Sequence, residues 1–259
     1  MIEALSDLRR SLVSWRLWTL LGWLEIRQRY ARSRVGPFWL TISMGVIIGT
    51  IGIVYGTLFG QKMSDYLPYL AASLVLWGLF SSIVTEGSTA YISNGAYIRQ
   101  VATSRLIYVL QVTWRNTMIF CHNAAIIILL MAIFGIERWD TLILFLPGLL
   151  LLIINATWMG MLTALISARF RDFPQIVASL VQMAFYITPI MYKAELLTKF
   201  SFITKYNPLL YVLDVARLPL LGQVPSTTTY AVTIGLAVIG WTFALWFTGR
   251  YIKRIAYWI

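Results

Sequence analysis

Few residues of this chain have the types and spacing that chemistry requires. The single histidine, His122, and the single cysteine, Cys121, are too few for a typical zinc site. Glu137 and Asp140 are three residues apart and have the types of an acid/base pair, but two carboxylates in a short polar turn are usually only solvated. The sequence contains neither the phosphate loop G-x-x-x-x-G-K-[ST] nor the nucleophile elbow G-x-S-x-G. These residues do not predict an enzyme.

One acidic residue, Glu86, lies inside an apolar run. An ionisable residue at membrane depth marks a functional site by default, because burying an unpaired charge there is costly. Glu86 lies near one end of its run, and Arg115 lies near the corresponding end of the next run. We therefore predict that Glu86 snorkels to the interface or pairs with Arg115.

The elements that must position these residues are long apolar helices. The 259 residues are 59% hydrophobic and 12% charged, with a mean hydropathy of +0.75, which leaves too little polar surface for a water-soluble domain. About 20 helical residues cross a hydrocarbon core of about 30 Å. Runs of about this length or longer occupy residues 38–59, 67–92, 106–136, 142–167, 174–192 and 229–248.

The predicted fold class is all-α, a polytopic membrane protein with six transmembrane helices. Residues 1–36 are predicted as a cytoplasmic interfacial helix and residues 37–259 as the transmembrane domain. Of the 21 Lys and Arg residues, 15 fall on the side that holds both chain ends, so that side is predicted to be cytoplasmic. The formal charge of +11 is then explained by the orientation of the chain in the membrane and by contact with anionic lipid, rather than by nucleic-acid binding.

The N-terminal stretch is rich in Trp and Arg. Trp15, Trp18 and Trp23 are predicted at headgroup level, and Glu25 and Arg29 have the i,i+4 spacing of a stabilising pair. The alternative is a short seventh span, which Arg16 disfavours.

Residues 193–228 are too apolar for an exposed loop and too polar for a full span. Asn207 and Pro208 have the types of an N-cap and first helical residue, and Gly222 is a plausible stop. Asp214 and Arg217 are three residues apart and can pair. We predict two short helices that re-enter the outer leaflet between helices 5 and 6; an amphipathic extracellular hairpin is the alternative.

Two turns are predicted on the cytoplasmic side. Asn94 and Gly95 begin the first, which mixes apolar and basic side chains, and Asp172 is predicted as the N-cap of the fifth helix in the second. A short amphipathic segment of this kind docks into a partner's groove or rests on lipid headgroups.

Together these motifs resemble the type-2 ABC exporter permeases. The similarity lies in the stretch YARSRVGPFW at 30–39, in residues 168–176, in FYITPIMY at 185–192, and in YNPL at 206–209 with the segment up to Gly222. The resemblance covers nearly the whole chain and is strongest to the O-antigen polysaccharide branch, with capsular polysaccharide and teichoic acid permeases as near neighbours.

This resemblance implies a homodimer with two separate ATPase subunits, which bind the ATP and Mg²⁺, in the inner membrane. It implies export of a lipid-linked polysaccharide, without a cofactor or metal in this chain. The alternatives are a small-molecule or drug exporter of the same superfamily, and an integral membrane enzyme acting on a lipid-linked sugar.

Three sets of site residues follow. The set for ATPase coupling is Asn94, Gly95, Tyr97, Ile98, Arg99, Arg169, Arg171 and Asp172. The set for the outer gate is Asn207, Pro208, Tyr211, Asp214 and Arg217. The set for the channel entrance is Tyr30, Arg34, Phe38 and Trp39.

Overall fold

The computed structural model describes residues 1–30, 36, 38–101, 103–135, 138–196 and 201–259. This described part is helical with irregular connections and contains no strand, which confirms the all-α class. The helices are α1 (Ile2–Val13), α2 (Trp15–Tyr30), α3 (Phe38–Leu58), α4 (Met63–Ser88), α5 (Ala90–Ser93), α6 (Gly95–Gln100), α7 (Leu106–Phe134), α8 (Leu142–Arg169), α9 (Phe173–Ile187), α10 (Ser201–Tyr206), α11 (Pro208–Leu220), α12 (Thr227–Tyr251) and α13 (Ile255–Trp258). Ala194–Leu196 and Ile252–Arg254 form 3₁₀ turns.

Within the described residues, five helices are long and apolar enough to cross a membrane: α3, α4, α7, α8 and the segment Thr227–Trp258. The fifth predicted run gives only the 15 residues of α9, about 22 Å at 1.5 Å per residue. This helix ends at Ile187 because Thr188 precedes Pro189, and a residue before proline disfavours helical backbone. The chain is a multi-pass membrane protein, and the count of six spans stays a prediction.

The central helix is α4, which packs against α3, α7, α8, α9 and α11. Its side chains are buried on most sides, whereas α3 lies outside and exposes most of its apolar surface. Gly87 on α4 faces Gly160 on α8 so closely that a Cβ on Gly87 would lie 2.9 Å from the Gly160 Cα. Small residues therefore permit close backbone contact between α4 and α8 near the end of α4.

The N-terminal stretch forms two helices instead of the one predicted. The chain bends at Ser14, between α1 and α2, and α2 then packs along α7. Trp18 contacts Trp114 of α7 edge-to-face at 5.9 Å between ring centroids, while Trp15 and Trp23 stay exposed. The position of these helices on a membrane surface stays a prediction.

Candidate functional site

The helix bundle has two ends that the sequence distinguishes by charge. The described residues of the connections 89–105 and 169–172, the N-terminal helices and residues 251–259 lie at one end, which carries most of the Lys and Arg residues. We call it the basic end. The other end holds the connection 59–62, residues 138–141 and the described residues between α9 and α12, and we call it the opposite end.

The first predicted coupling turn forms α5 and α6 at the basic end. Asn94 lies between them and donates from Nδ2 to the Ala90 carbonyl oxygen at 2.9 Å. Gly95 begins α6 in close contact with the last residue, since a Cβ there would lie 2.5 Å from Ile259 Cγ2. Tyr97 points outward, but Ile98 is only 2% exposed. Ile98 therefore packs in the core of its own chain, and the coupling role predicted for it stays a prediction.

The second predicted coupling turn meets the first through the C-terminal segment. Arg99 of α6 donates from Nη1 to the Ile259 carbonyl oxygen at 3.0 Å, and Arg171 donates from Nη2 to the same oxygen at 3.3 Å. Arg169 lies over the exposed ring of Phe170 at 5.6 Å. The sequence predicts that these turns lie on one side of the membrane, and the fold joins them through Ile259.

Asp172 precedes α9 as predicted, but its role differs. Its backbone is already helical and its side chain makes no capping hydrogen bond, and the helix begins at Phe173 rather than at Pro174. Proline still lies in the first turn, where its missing N–H has no partner to lose.

A cluster of charges joins α2, α4 and α7. Arg115 donates from Nη2 to Glu86 Oε2 at 2.7 Å, which confirms the predicted pair. Its Nη1 donates to Glu25 of α2, so Glu25 does not form the predicted pair with Arg29. Arg29 instead lies 3.9 Å from the other oxygen of Glu86. One arginine therefore links the N-terminal helices to α4.

The predicted start and stop of the gate helix are both confirmed. Asn207 Oδ1 accepts from the Leu209 N–H at 3.0 Å, and Pro208 is the first helical residue of α11. At the other end Gly222 has φ +73°, and the Gln223 N–H donates to the Leu218 carbonyl at 3.0 Å. This arrangement is a Schellman stop, for which glycine is favoured because it tolerates positive φ.

The Asn207 cap also joins α11 to the end of α9, because its Nδ2 donates to Thr188 Oγ1 at 2.9 Å. Replacing Asn207 by alanine should lower the free energy of unfolding by about 1 kcal/mol, through loss of the cap. The Asn207→Asp variant keeps a side-chain oxygen that can accept from the Leu209 N–H, so it should lose less stability than the alanine variant. Thermal unfolding in detergent checks this, and equal stability of the alanine variant and the wild type would contradict it.

Arg217 is the centre of a buried network at the opposite end. The Asp214–Arg217 pair is confirmed, with Arg217 Nε donating to Asp214 Oδ1 at 2.8 Å. Arg217 is only 3% exposed, and its Nη1 also donates to Tyr69 OH, Ser73 Oγ and the Pro189 carbonyl at 2.6–3.0 Å. The sequence interpretation missed these partners, although Tyr69 and Ser73 have the i,i+4 spacing of one helix face.

The residues after α9 are bound to α4 by two tyrosines. Tyr66 OH donates to the Met191 carbonyl at 2.5 Å, and Tyr69 OH lies 2.9 Å from the carbonyls of both Pro189 and Tyr192. Tyr211, the remaining predicted gate residue, donates from its hydroxyl to the Lys205 carbonyl at 2.9 Å, and its backbone carbonyl accepts from Thr233 Oγ1 of α12 at 3.2 Å. The helix that carries most of the predicted gate residues, α11, forms a packed layer with α4, α8 and α12, although Pro208 stays exposed.

The predicted channel-entrance residues are not brought into that layer. Phe38 and Trp39 begin α3 at the basic end with exposed side chains, and Phe38 contacts His122 at 6.5 Å between ring centroids. Tyr30 is the last residue of α2. Arg34 lies outside the described residues.

The remaining polar candidates have structural surroundings. His122 Nδ1 lies 2.8 Å from the Met118 carbonyl of its own helix, as expected for a packed histidine. Glu137 lies outside the described residues. Asp140 is exposed beside Arg138, whose guanidinium lowers the pKa of that carboxyl. A carboxyl with a lowered pKa is a poor general acid, so the surroundings of Asp140 do not favour proton transfer by this group.

A polar stripe on α9 was missed at the sequence level. Gln175, Ser179, Gln182 and Tyr186 follow at i, i+4, i+7 and i+11, so they share one face, and all four are exposed. Gln182 Nε2 donates to Tyr186 OH at 3.2 Å, and Ser179 donates to the Gln175 carbonyl at 3.0 Å. The spacing was visible in the sequence, but only the fold shows that no neighbouring helix of the described chain covers this face.

Comparison with known proteins identifies the family of the chain. The family model described as "ABC-2 type transporter" matches residues 16–221. An O-antigen export system permease protein RfbA of Klebsiella pneumoniae is 21% identical over 187 residues, which cover 71% of this chain and 72% of that protein. A protein of the same name from Myxococcus xanthus is 22% identical over 170 residues, covering 65% of each chain. Because the family match extends from α2 through α11, the chain belongs to the ABC-2 type transporter family and is a permease related to O-antigen export.

Proposed function

We propose that this chain is the transmembrane subunit of an exporter that moves a lipid-linked polysaccharide of O-antigen type out of the cytoplasm. Two copies form the conduit, and two ATPase subunits drive it with ATP and Mg²⁺ bound on those subunits. The observation that carries this proposal is the exposed polar stripe of α9. The names of the relatives and the membrane-spanning helices support it.

The stripe is unsuited to a lipid environment. An amide or hydroxyl moved from water into an apolar medium without a hydrogen-bond partner costs several kcal/mol. Ser179 is bonded to the Gln175 carbonyl, but the Gln175 amide and the amide oxygen of Gln182 would face acyl chains. A second copy of the chain or a water-filled conduit removes that cost. Because the stripe extends along most of α9, it suits a polar path rather than a single binding point.

The chemistry of the stripe also suits sugars. Gln and Ser side chains both donate and accept hydrogen bonds, as sugar hydroxyls do, and the ring of Tyr186 can stack on the apolar face of a pyranose. Several weak contacts of this kind allow a polymer to slide, because no one contact holds it tightly.

The proposed orientation follows from the charges. The basic end faces the cytoplasm, because cytoplasmic connections carry an excess of Lys and Arg. Membership of the family implies pairing with an ATPase subunit, and the joined turns 94–100 and 169–172 would be where that subunit docks. The inner membrane is the proposed location, with the layer of α11 near its outer surface as the gate.

The test is cysteine accessibility on α9 in a Cys121→Ser background, in membranes that hold the assembled exporter. Ser179→Cys and Gln182→Cys should react with a hydrophilic maleimide, because the stripe faces a polar path. The matched control is Leu180→Cys, since Leu180 is also exposed but lies about 130° around the helix from the stripe at 100° per residue. Leu180→Cys should react several-fold more slowly.

Equal labelling at positions 180 and 182 would contradict a polar path along the stripe. Export of surface polysaccharide by the Gln182→Leu variant, compared with Leu180→Ala, gives the functional readout. We expect Gln182→Leu to reduce export and Leu180→Ala to leave it near the wild-type level. Normal polysaccharide export together with lost export of a small molecule would favour the drug-exporter alternative.

A further inference from the structure

The C-terminal segment is anchored to the bundle at the basic end. Ile255 of α13 is fully buried, and Trp258 packs on Tyr251 at 5.6 Å between ring centroids. Ile259 completes the anchor, because its side chain fits against Gly95 and its carbonyl oxygen accepts from Arg99 and Arg171. The segment therefore holds α6 and the 169–172 turn in one fixed arrangement.

Each of the three joined segments presents one large exposed aromatic side chain. Tyr97 is 63% exposed, Phe170 is 61% exposed and Tyr257 is 90% exposed. Each lies within two residues of the junction formed by Arg99, Arg171 and Ile259. Tyr257 is the most exposed of the three although α13 itself is anchored, so the segment turns this ring outward.

We propose that α13 is a third element of the docking surface for the ATPase subunit, with Tyr257 as an anchor beside Tyr97 and Phe170. This proposal rests on the proposed pairing with an ATPase and extends it to a segment that neither sequence motif included. Aromatic and arginine side chains dominate the binding energy of protein interfaces, above all when a rigid scaffold holds them.

The charges define the chemistry of the partner. Arg99, Arg169 and Arg171 are exposed around the aromatic side chains, and Asp172 is the single acidic residue in the two turns. The matching surface on the ATPase subunit is therefore an apolar groove with carboxylates at its rim. Arg169 is already held over the Phe170 ring, which reduces the ordering that docking requires.

The experiment places a photoreactive benzoylphenylalanine at position 97, 170 or 257 of the full chain, co-expressed with its ATPase subunit. The control position is Trp139, which is 70% exposed but lies at the opposite end of the bundle. We expect covalent adducts with the ATPase subunit, identified by mass spectrometry, from positions 97, 170 and 257 and none from position 139.

Adducts from positions 97 and 170 without one from 257 would overturn this inference and leave the proposed pairing intact. Adducts from 257 with lipid alone would overturn it as well, since the segment would then rest on headgroups. If none of the three positions reacts although the two chains purify together, both this surface and the coupling role of the turns are wrong.

Affinity gives a second readout. Tyr257→Ala should weaken binding of the purified ATPase subunit about tenfold or more, whereas Tyr257→Phe should retain most of it because the ring remains. Trp139→Ala is the matched control and should bind as the wild type does. Unchanged affinity in a folded Tyr257→Ala variant would overturn the anchor role.

Discussion

Replacing Arg217 by methionine should destabilise the opposite end of the bundle more than any other single side-chain change at the gate. The substitution removes the charge that pairs with Asp214 and the donor shared by Tyr69, Ser73 and Pro189. Breaking a buried pair from one side costs about 3–5 kcal/mol, because the other charge stays buried without compensation. Thermal unfolding of the purified protein, followed by tryptophan fluorescence, measures the loss.

The double variant Asp214→Asn with Arg217→Met separates the lost pair from lost packing. It leaves no uncompensated charge, so it should recover a large part of the stability that Arg217→Met loses. If the double variant is less stable than Arg217→Met, the pair does not act as the geometry indicates. Export should fall in both variants, because the Pro189 carbonyl loses its guanidinium donor and the break after α9 is held less firmly.

Replacing Arg115 by leucine should release the N-terminal helices from the bundle. Arg115 is the only charged donor that bridges Glu25 of α2 and Glu86 of α4 among the described residues. Without it Glu25 keeps the Gln111 amide, and Glu86 keeps the Asn116 amide and the more distant Arg29. Because both carboxylates are about a third exposed, the loss should be smaller than the roughly 3–5 kcal/mol of a fully buried pair. We expect a lower unfolding midpoint and faster tryptic cleavage at Arg27 and Arg29.

The control for this experiment is Arg138→Leu. Arg138 also pairs with a carboxylate, Asp140, but both side chains are exposed, so solvent screens the pair and no measurable loss is expected. If Arg115→Leu and Arg138→Leu lower the unfolding midpoint equally, the Arg115 network contributes no more to stability than a surface pair. Arg115→Lys should be intermediate, because one ammonium cannot reproduce the two-sided fork of a guanidinium.

The Ile98 result changes how coupling must be tested. A polar residue at Ile98 would unfold the local core and abolish export without saying anything about docking, because Ile98 is buried. Tyr97 and Arg99 are exposed on the same short helix. Substitutions there test the interface with the fold intact.

The sequence by itself determined the features that depend on neighbours along the chain. Five of the six apolar runs predicted helices long enough to cross a membrane, since helix length and hydropathy are local properties, and the remaining run gave the shorter helix α9. Asn207, Pro208 and Gly222 predicted the limits of α11, because capping acts over a few residues. The Asp214–Arg217 pair followed from i,i+3 spacing, and the shared motifs identified the family.

Only the tertiary structure decided which side chains meet across distant segments. The i,i+4 spacing predicted that Glu25 pairs with Arg29, yet Glu25 pairs with Arg115. The reason is that α2 packs against α7, which brings the buried guanidinium of Arg115 to the Glu25 carboxylate. Arg217 reaches Tyr69 and Pro189, and Ile259 joins Arg99 to Arg171, across segments far apart in the chain. Such contacts depend on how helices pack, and in an apolar bundle many helices present similar faces, so the local pattern alone does not choose among them.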